Sequence, residues 1–305
     1  MKHIILVGAC YLDTILTVPH FPDEDSKLRA TSLQVRRGGN CPNSLQVLAQ
    51  LLSSGPQRLN EITLHLVSCL PDAQATATRT ILESFGTSPD TTIDFNHCVY
   101  REGYDEPASS YIIRSASTGS RTIVNFNNLP EMTANEFEEI ADAFARQGDA
   151  CWWHFEGRIP ETTLQCTRYL RQVMPGSTIS VEVEKPNREG LVELAAEADV
   201  VFYSRSWAEP GICRPRGMFE GRGPVIKGVS AGALSLPGGA YIHHPANMSG
   251  DRISVVDTIG AGDTFLAGML YGLHADAWSH ETKLGFAVGL ATKKVQQEGF
   301  AGLVP

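Results

Sequence analysis

The absences in this sequence exclude several classes of protein. No two cysteines are spaced as C-x-x-C, and the seven (Cys10, Cys41, Cys69, Cys98, Cys151, Cys166 and Cys213) are scattered and odd in number. That pattern predicts neither a disulfide framework nor a cysteine zinc site, and a reducing, cytoplasmic compartment fits it best. The nine histidines contain no H-E-x-x-H and no other ligand spacing, so no metal-ligating residue is assigned. No apolar stretch reaches the ~18 residues of a membrane span. A net charge of −9, with no run of five like charges, lacks the basic excess of a general nucleic-acid binder. Internal repeats, low-complexity tracts and a Walker A spelling are also missing. The apolar start Ile4–Cys10 is interrupted by Asp13 and has no small-residue cleavage site, so it reads as a buried strand rather than a secretion signal.

What is present is ordinary globular material. The chain has 305 residues, 42% hydrophobic and 19% charged, enough to bury a core without disulfide or metal. Short apolar runs alternate with helical periodicity. Strands are expected at Ile4–Gly8, Leu64–Ser68, Trp152–Glu156, Thr178–Glu182, Val200–Tyr203 and Val225–Gly228. Helices are expected at Asn43–Leu52, Thr76–Phe85, Ala134–Arg146, Thr162–Val173, Ala261–His274 and His280–Gln297. Strand–helix alternation predicts an α/β fold with a mostly parallel sheet covered on both faces. Residues 12–37 and 97–126 break the rhythm with β-type patterns and predict a small antiparallel sheet, or lid. Trp152-Trp153 reads as core rather than as a stacking platform.

The segment Asp257-Thr258-Ile259-Gly260-Ala261-Gly262-Asp263 carries the chemistry. A strand is expected at Ile253–Val256 before it and a helix opens at Ala261 or Gly262. Glycines at 260 and 262 let backbone N–H groups approach a ligand, and the helix start adds partial positive charge. Together they form an anion site suited to phosphate. Asp263 stands in that site, where a carboxylate repels an anion unless it acts as a general base. The competing reading is a capping Asp after a glycine turn. A dinucleotide fingerprint would need a third glycine, and Phe265 follows instead. Near the N-terminus, Asp13 follows the first strand, where α/β sheets gather ligands, or is a solvated turn acid. Gly38-Gly39-Asn40 and Asn43 offer amides to hydroxyl groups, or form a turn with an Asn cap. Arg121 and Arg158 are phosphate partners by chemistry or plain surface charges.

In this order, Gly38-Gly39-Asn40-x-x-Asn43 and Asp257-Thr258-x-Gly260-Ala261-Gly262-Asp263-Thr264-Phe265 resemble the two signatures of the PfkB family of carbohydrate kinases. The likeness is nearest to the ketohexose kinases of that family. It extends through Asp23-Glu24-Asp25-Ser26, Gly119–Ile123, His154–Arg158, Ser180–Pro186 and Gly299-Phe300, nearly the whole chain.

This resemblance implies a single three-layer ribokinase-like domain over residues 1–305, with a small β-sheet lid. It implies transfer of the γ-phosphoryl group of ATP to a ketohexose, fructose-like, hydroxyl. Asp263 would be the base, and Gly260, Ala261 and Gly262 would hold the transferred group. Asp13, Gly39, Asn40, Asn43 and Arg158 would grip the sugar. Asp25 would reach the sugar of a neighbouring subunit in a homodimer clasped through the lid. Arg121, Lys185, Lys227, Gly228 and Gly232 would face the nucleotide. Mg²⁺ would arrive with ATP, and K⁺ is a further cation that the family uses near the cradle. Nucleic acid and membrane are not expected partners.

The sequence departs from the family in three places. Ser68–Asp72 lacks a glycine–aspartate–glycine run, and 206–224 is short and rich in Pro, Gly and Arg. The Asn-x-x-Glu pattern linked to Mg²⁺ is off by one at Asn187-Arg188-Glu189, so Glu182 or Glu184 would serve. Three other readings stay open: a kinase for ribose or a nucleoside, a non-catalytic sugar or nucleotide sensor, and a nicotinamide-dependent oxidoreductase.

Overall fold

Ile4, Ile5, Leu6 and Val7 are all buried and alternate between two cores. A strand covered on both faces reads as a continuous apolar run, and successive side chains point to opposite faces. In the computed structural model, which describes residues 3–56, 62–86, 93–186, 188–204, 225–227, 231–235, 241–246 and 254–304, this run is β1 (His3–Val7), inside the main sheet.

The main sheet has the order β15 (Tyr241–Pro245), β14 (Ala231–Ser235), β13 (Val225–Lys227), β12 (Val200–Tyr203), β11 (Thr178–Val183), β10 (Cys151–Glu156), β1, β4 (Thr63–Val67) and β6 (Ile93–Asp94). From β13 to β6 all pairings are parallel, and β14 and β15 add antiparallel at one edge. Helices α1 (Asn40–Ser54), α6 (Ala261–His274) and α7 (His280–Lys294) bury their apolar faces on the Ile4 and Leu6 side. Helices α3 (Ala134–Gln147), α4 (Pro160–Val173) and α5 (Leu191–Glu197) cover the Ile5 and Val7 side. The result is a three-layer α/β arrangement. Trp152 and Trp153 lie in the two cores, one on each side. Among the described residues, no helix is long and apolar enough to cross a membrane.

A second sheet has the order β3 (Ser32–Gly38), β2 (Tyr11–Val18), β8 (Ala108–Ser115) and β9 (Arg121–Phe126). It is mixed rather than antiparallel, because β2 and β8 run parallel from Tyr11 opposite Ala108 to Val18 opposite Ser115. The chain traverses the main sheet between them, and such a long connection, unlike a hairpin, permits parallel pairing. Part of the stretch 97–126 also leaves this sheet, since β7 (Val99–Tyr100) pairs with β5 (Cys69–Leu70). The helix α2 (Thr76–Glu83) follows β5.

Other expectations need correction. Of the strand expected at 253–256, Ile253 lies outside the described residues and Ser254–Val256 is not a strand. The N–H of Val256 is taken by the Val295 carbonyl, and Val255 faces solvent. A short apolar run specifies a strand only where a neighbouring edge receives it. Helix α1 starts at Asn40 rather than Asn43, and α5, β14 and β15 were not foreseen. Gly228 and the stretch 206–224 lie outside the described residues.

The core sets tight steric limits where α6 meets α7. A Cβ on Gly268 would come within 2.8 Å of the Ala287 Cα. Gly268→Val should therefore lower the unfolding free energy by about 1–3 kcal/mol in urea titrations, the usual cost of overpacking. An unchanged midpoint would show that the two helices separate freely.

Candidate active site

The site begins with a backbone bend. Gly260 has φ 80° and caps α6 in the left-handed region, and a Cβ there would meet the Phe300 ring at 2.3 Å. Only glycine satisfies both conditions. The first bond of the helical ladder runs from the Thr264 N–H to the Gly260 carbonyl, at 2.9 Å. The N–H groups of Gly262 and Asp263 precede that ladder and have no helical acceptor.

The turn before the helix is held by Asp257. Its Oδ1 accepts the Ile259 N–H at 2.9 Å. Its Oδ2 receives Lys294 Nζ at 3.1 Å and Arg36 Nη1 at 3.3 Å. Lys294 is fully buried, and its ammonium also donates to the carbonyls of Asp257 (3.2 Å) and Gln297 (3.4 Å). Burial pushes the Asp257 carboxyl up, but the Ile259 N–H, Lys294 and Arg36 outweigh it, and the net direction is down.

Asp263 is buried in the first turn of α6 and makes no capping bond. Its Oδ2 instead accepts Asn43 Nδ2 at 2.7 Å. The Asn43 carbonyl oxygen in turn accepts Arg37 Nη1 at 3.2 Å, which fixes the amide with its NH₂ toward the carboxylate. Arg37 is itself buried, stacked 4.1 Å over the Phe85 ring and donating to Ser84 Oγ and Gln46 Oε1. Burial pushes Asp263 up to about 7, opposed by the Asn43 bond and Arg37 and reinforced by the charges of Glu156 and Glu184.

Further carboxylates line the same space. Glu156, at the carboxyl end of β10, accepts the Ala9 N–H at 2.9 Å. Glu182 accepts Asn40 Nδ2 at 3.0 Å. Burial holds both above the usual carboxylate range, and for Glu182 the charge of Asp263 adds to it.

These groups open onto one cleft of about 710 Å³, within the size range of small-molecule sites. Its floor is the carboxyl ends of the main-sheet strands, and its roof is one face of the second sheet, with Asp13, Ser110, Ile112, Ile123 and Asn125. Asp13 is buried, which pushes its carboxyl up, while Ser110, Arg36 and Arg37 oppose this. Gly38 makes room for it, since a Cβ there would lie 2.3 Å from Asp13 Oδ2.

Of the residues expected from the sequence, Asp13, Gly39, Asn40, Asn43, Arg121, Arg158, Lys185, Gly260, Gly262 and Asp263 line this cleft. Ala261 is buried behind it, with its N–H toward the Thr258 carbonyl at 3.4 Å. Arg158 is engaged with Glu131 and the Tyr11 hydroxyl, and Arg121 donates to Thr258 Oγ1 at 3.0 Å. Asp25 is exposed on the second-sheet side at φ 62° and does not line the cleft. Lys227 belongs to β13 and Gly232 to β14, opposite His244; the Lys227 side chain lies outside the described residues. Arg37, Glu156 and Lys294 were not singled out from sequence. Only burial distinguishes them, and charged residues beside a glycine pair or at a helix end are usually solvated.

A model described as pfkB family carbohydrate kinase matches residues 225–305, which include the whole cradle. Ketohexokinase of Mus musculus is 31% identical over 320 residues, covering 99% of each chain. The chain belongs to the PfkB family of carbohydrate kinases. Among solved structures, the kinase resembles a nucleoside kinase of Methanocaldococcus jannaschii, an archaeal member of the ribokinase family. The TM-score is 0.73 at 18% identity, over 100% of this chain and 95% of the other. It also resembles ribokinase of Arabidopsis thaliana, solved with ribose and ATP, with TM-score 0.71 at 18% identity over 100% and 96% of the chains. These two likenesses establish the three-layer α/β fold that the motifs implied.

The geometry around Asp263 makes one titration specific. A carbon-13 signal for its carboxyl, assigned by its loss in Asp263→Asn, should titrate near 7 in the free kinase. Asn43→Leu removes a donor to the charged form and should move that midpoint upward. A midpoint near 4 in the wild type would mean that water reaches the carboxylate.

Proposed function

We propose that this kinase transfers the γ-phosphoryl group of ATP to a hydroxyl of a ketohexose, with the C1 hydroxyl of fructose as the leading acceptor. The observation that carries the reading is the Asp263 carboxylate, aimed by Asn43, at the junction between a glycine helix start and a polar pocket. The full-length likeness to a protein named ketohexokinase supports the sugar class. The structural neighbour that holds ribose and ATP supports the nucleotide.

The chemistry follows from the positions. Asp263 takes the hydroxyl proton as the sugar oxygen attacks the γ-phosphorus, and a base near 7 is matched to that task. Backbone N–H groups of Gly260 and Gly262 steady the transferring group, with Ala261 packed behind them and the start of α6 adding positive potential. Asp13, Gly39, Asn40 and Asn43 hold the sugar, with Arg158 at its edge. Arg121 and Lys185 meet the phosphates, and Lys227, Gly228 and Gly232 belong to the nucleotide side. Glu156, Glu182 and Glu184 form an oxygen-rich set suited to Mg²⁺, a hard cation. When bound with ATP, that ion neutralises phosphate charge. K⁺ is a further candidate near the cradle, where the Lys294 ammonium already supplies one fixed positive charge. The six described cysteines are unpaired, which supports work in the cytoplasm.

Consumption of Mg·ATP against fructose, tagatose, ribose, adenosine and glucose tests the reading. Turnover should be highest with fructose, and Asp263→Ala should lower the rate by roughly 10²–10⁴ while ATP binding persists. Turnover with ribose or adenosine alone would move the enzyme to another branch of the family. ATP binding without turnover would support a sensor.

We also propose a homodimer through the outer face of the second sheet, the lid. Val35, Tyr111 and Val124 are exposed there at 56%, 52% and 59%, in one row across β3, β2, β8 and β9 with Thr14 between the first two. Leu33 and Phe126 extend the patch. A contiguous apolar face of this kind marks a contact surface. In that dimer Asp25 would reach the neighbour's sugar. Light scattering should give twice the chain mass, and Tyr111→Asp with Val124→Lys should halve it. A monomeric wild type would refute the clasp.

A further inference from the structure

A second cluster of polar side chains lies away from the cleft, on the α3 face of the main sheet at its β6 edge. His65 in β4 pairs with Ile5 on one side and Asp94 of β6 on the other, and His97 follows in the turn after β6. One ligand atom from each of His65, Asp94 and His97 lies within 4.8 Å of the others. None of the three lines the cleft.

The hydrogen bonds around His65 fix what its ring presents. His65 Nε2 lies 2.9 Å from His3 Nδ1, and His3 Nε2 lies 3.4 Å from Asp149 Oδ2. An ionised Asp149 only accepts, so a neutral His3 carries its proton on Nε2 and leaves Nδ1 as an acceptor. With His3 neutral, His65 carries its proton on Nε2 and leaves Nδ1 bare. That Nδ1 is buried, with His65 only 4% exposed, and has no hydrogen-bond partner. It faces Asp94 Oδ2 at 3.5 Å. In that state two lone pairs face each other at a half-buried place, an arrangement that a cation held between them relieves.

The arrangement matches metal ligation on three independent counts. Two imidazoles and one carboxylate are a donor set for zinc and similar first-row ions, with a fourth position open. The Asp149–His3–His65 chain is the outer-shell pattern that orients a metal-binding imidazole and raises its basicity. The Phe144 ring packs against the rings of both His65 (5.0 Å) and His97 (4.6 Å), which limits their rotation.

We propose that His65, Asp94 and His97 bind a divalent transition metal of the zinc class, with His3 and Asp149 as positioning residues. The bound ion would tie β6 and its following turn to β4, separately from the phosphoryl-transfer site.

The test uses the full chain, stripped with chelator, dialysed and titrated with Zn²⁺ alone by calorimetry. One equivalent should bind, and the melting temperature should rise. Co²⁺ should give visible d–d bands without a thiolate charge-transfer band, because no cysteine is a ligand. Asp94→Asn and His97→Ala alter partly exposed residues and should abolish binding while circular dichroism is kept. His3→Ala should weaken it roughly 10- to 100-fold, as loss of an outer-shell partner does. No Zn²⁺ uptake by the wild type would overturn the site. So would uptake that survives in both ligand variants, or a Co²⁺ spectrum with a thiolate band.

Discussion

A carboxylate held out of water beside the start of a helix is the condition around which this enzyme is arranged. Burying such a charge is costly, and the usual response is to gain a proton. Here Asn43 supplies a hydrogen bond and Arg37 supplies both orientation of that amide and a nearby positive charge. The opposing pressure comes from burial and from Glu156 and Glu184. The balance leaves Asp263 between its two protonation states near neutral pH. Stability is spent on this poise: the raised value means that the folded chain holds its proton more tightly than the unfolded one. That contribution is complete below the ordinary carboxylate range and disappears as pH rises through about 7.

The same condition explains how the two sheets are coupled. Arg36 and Arg37 are neighbours in β3, so their side chains leave opposite faces of the strand. Arg36 reaches Asp257 in the turn before α6, and Arg37 reaches Asn43 in α1. From the same sheet, Arg121 donates to Thr258 Oγ1 and Arg114 donates to the Val256 carbonyl at 2.8 Å. The roof of the cleft is therefore tied to the turn that shapes the phosphoryl site, and displacement of one disturbs the other.

Much of this was legible in the residues, for reasons that can be named. The buried strands announce themselves because parallel strands are near-continuous apolar runs, as Ile4–Val7 is and, apart from His154, Cys151–Phe155 is. The cradle was legible because Gly260 and Gly262 have few other uses before a helix, and the Asn40 and Asn43 amides followed from a second glycine pair. Three things were not legible. The sense of β2 against β8 depends on a crossover far away in sequence. Ser254–Val256 has strand composition but finds its partner at the end of α7. Lys294, Arg37 and His65 look like surface residues in the sequence, and only the packing of distant elements buries them.

The adjacent arginines of β3 also limit how this gene can change. Each arginine has a different anionic or amide partner on a different face, and Gly38 and Gly39 follow at once where no Cβ fits. Inserting or deleting a single residue upstream of Arg36 within the strand would rotate both side chains to the wrong faces unless the register with β2 slipped in compensation. Drift in this family member should therefore proceed by substitution along β3, while length changes are confined to the loop that precedes it.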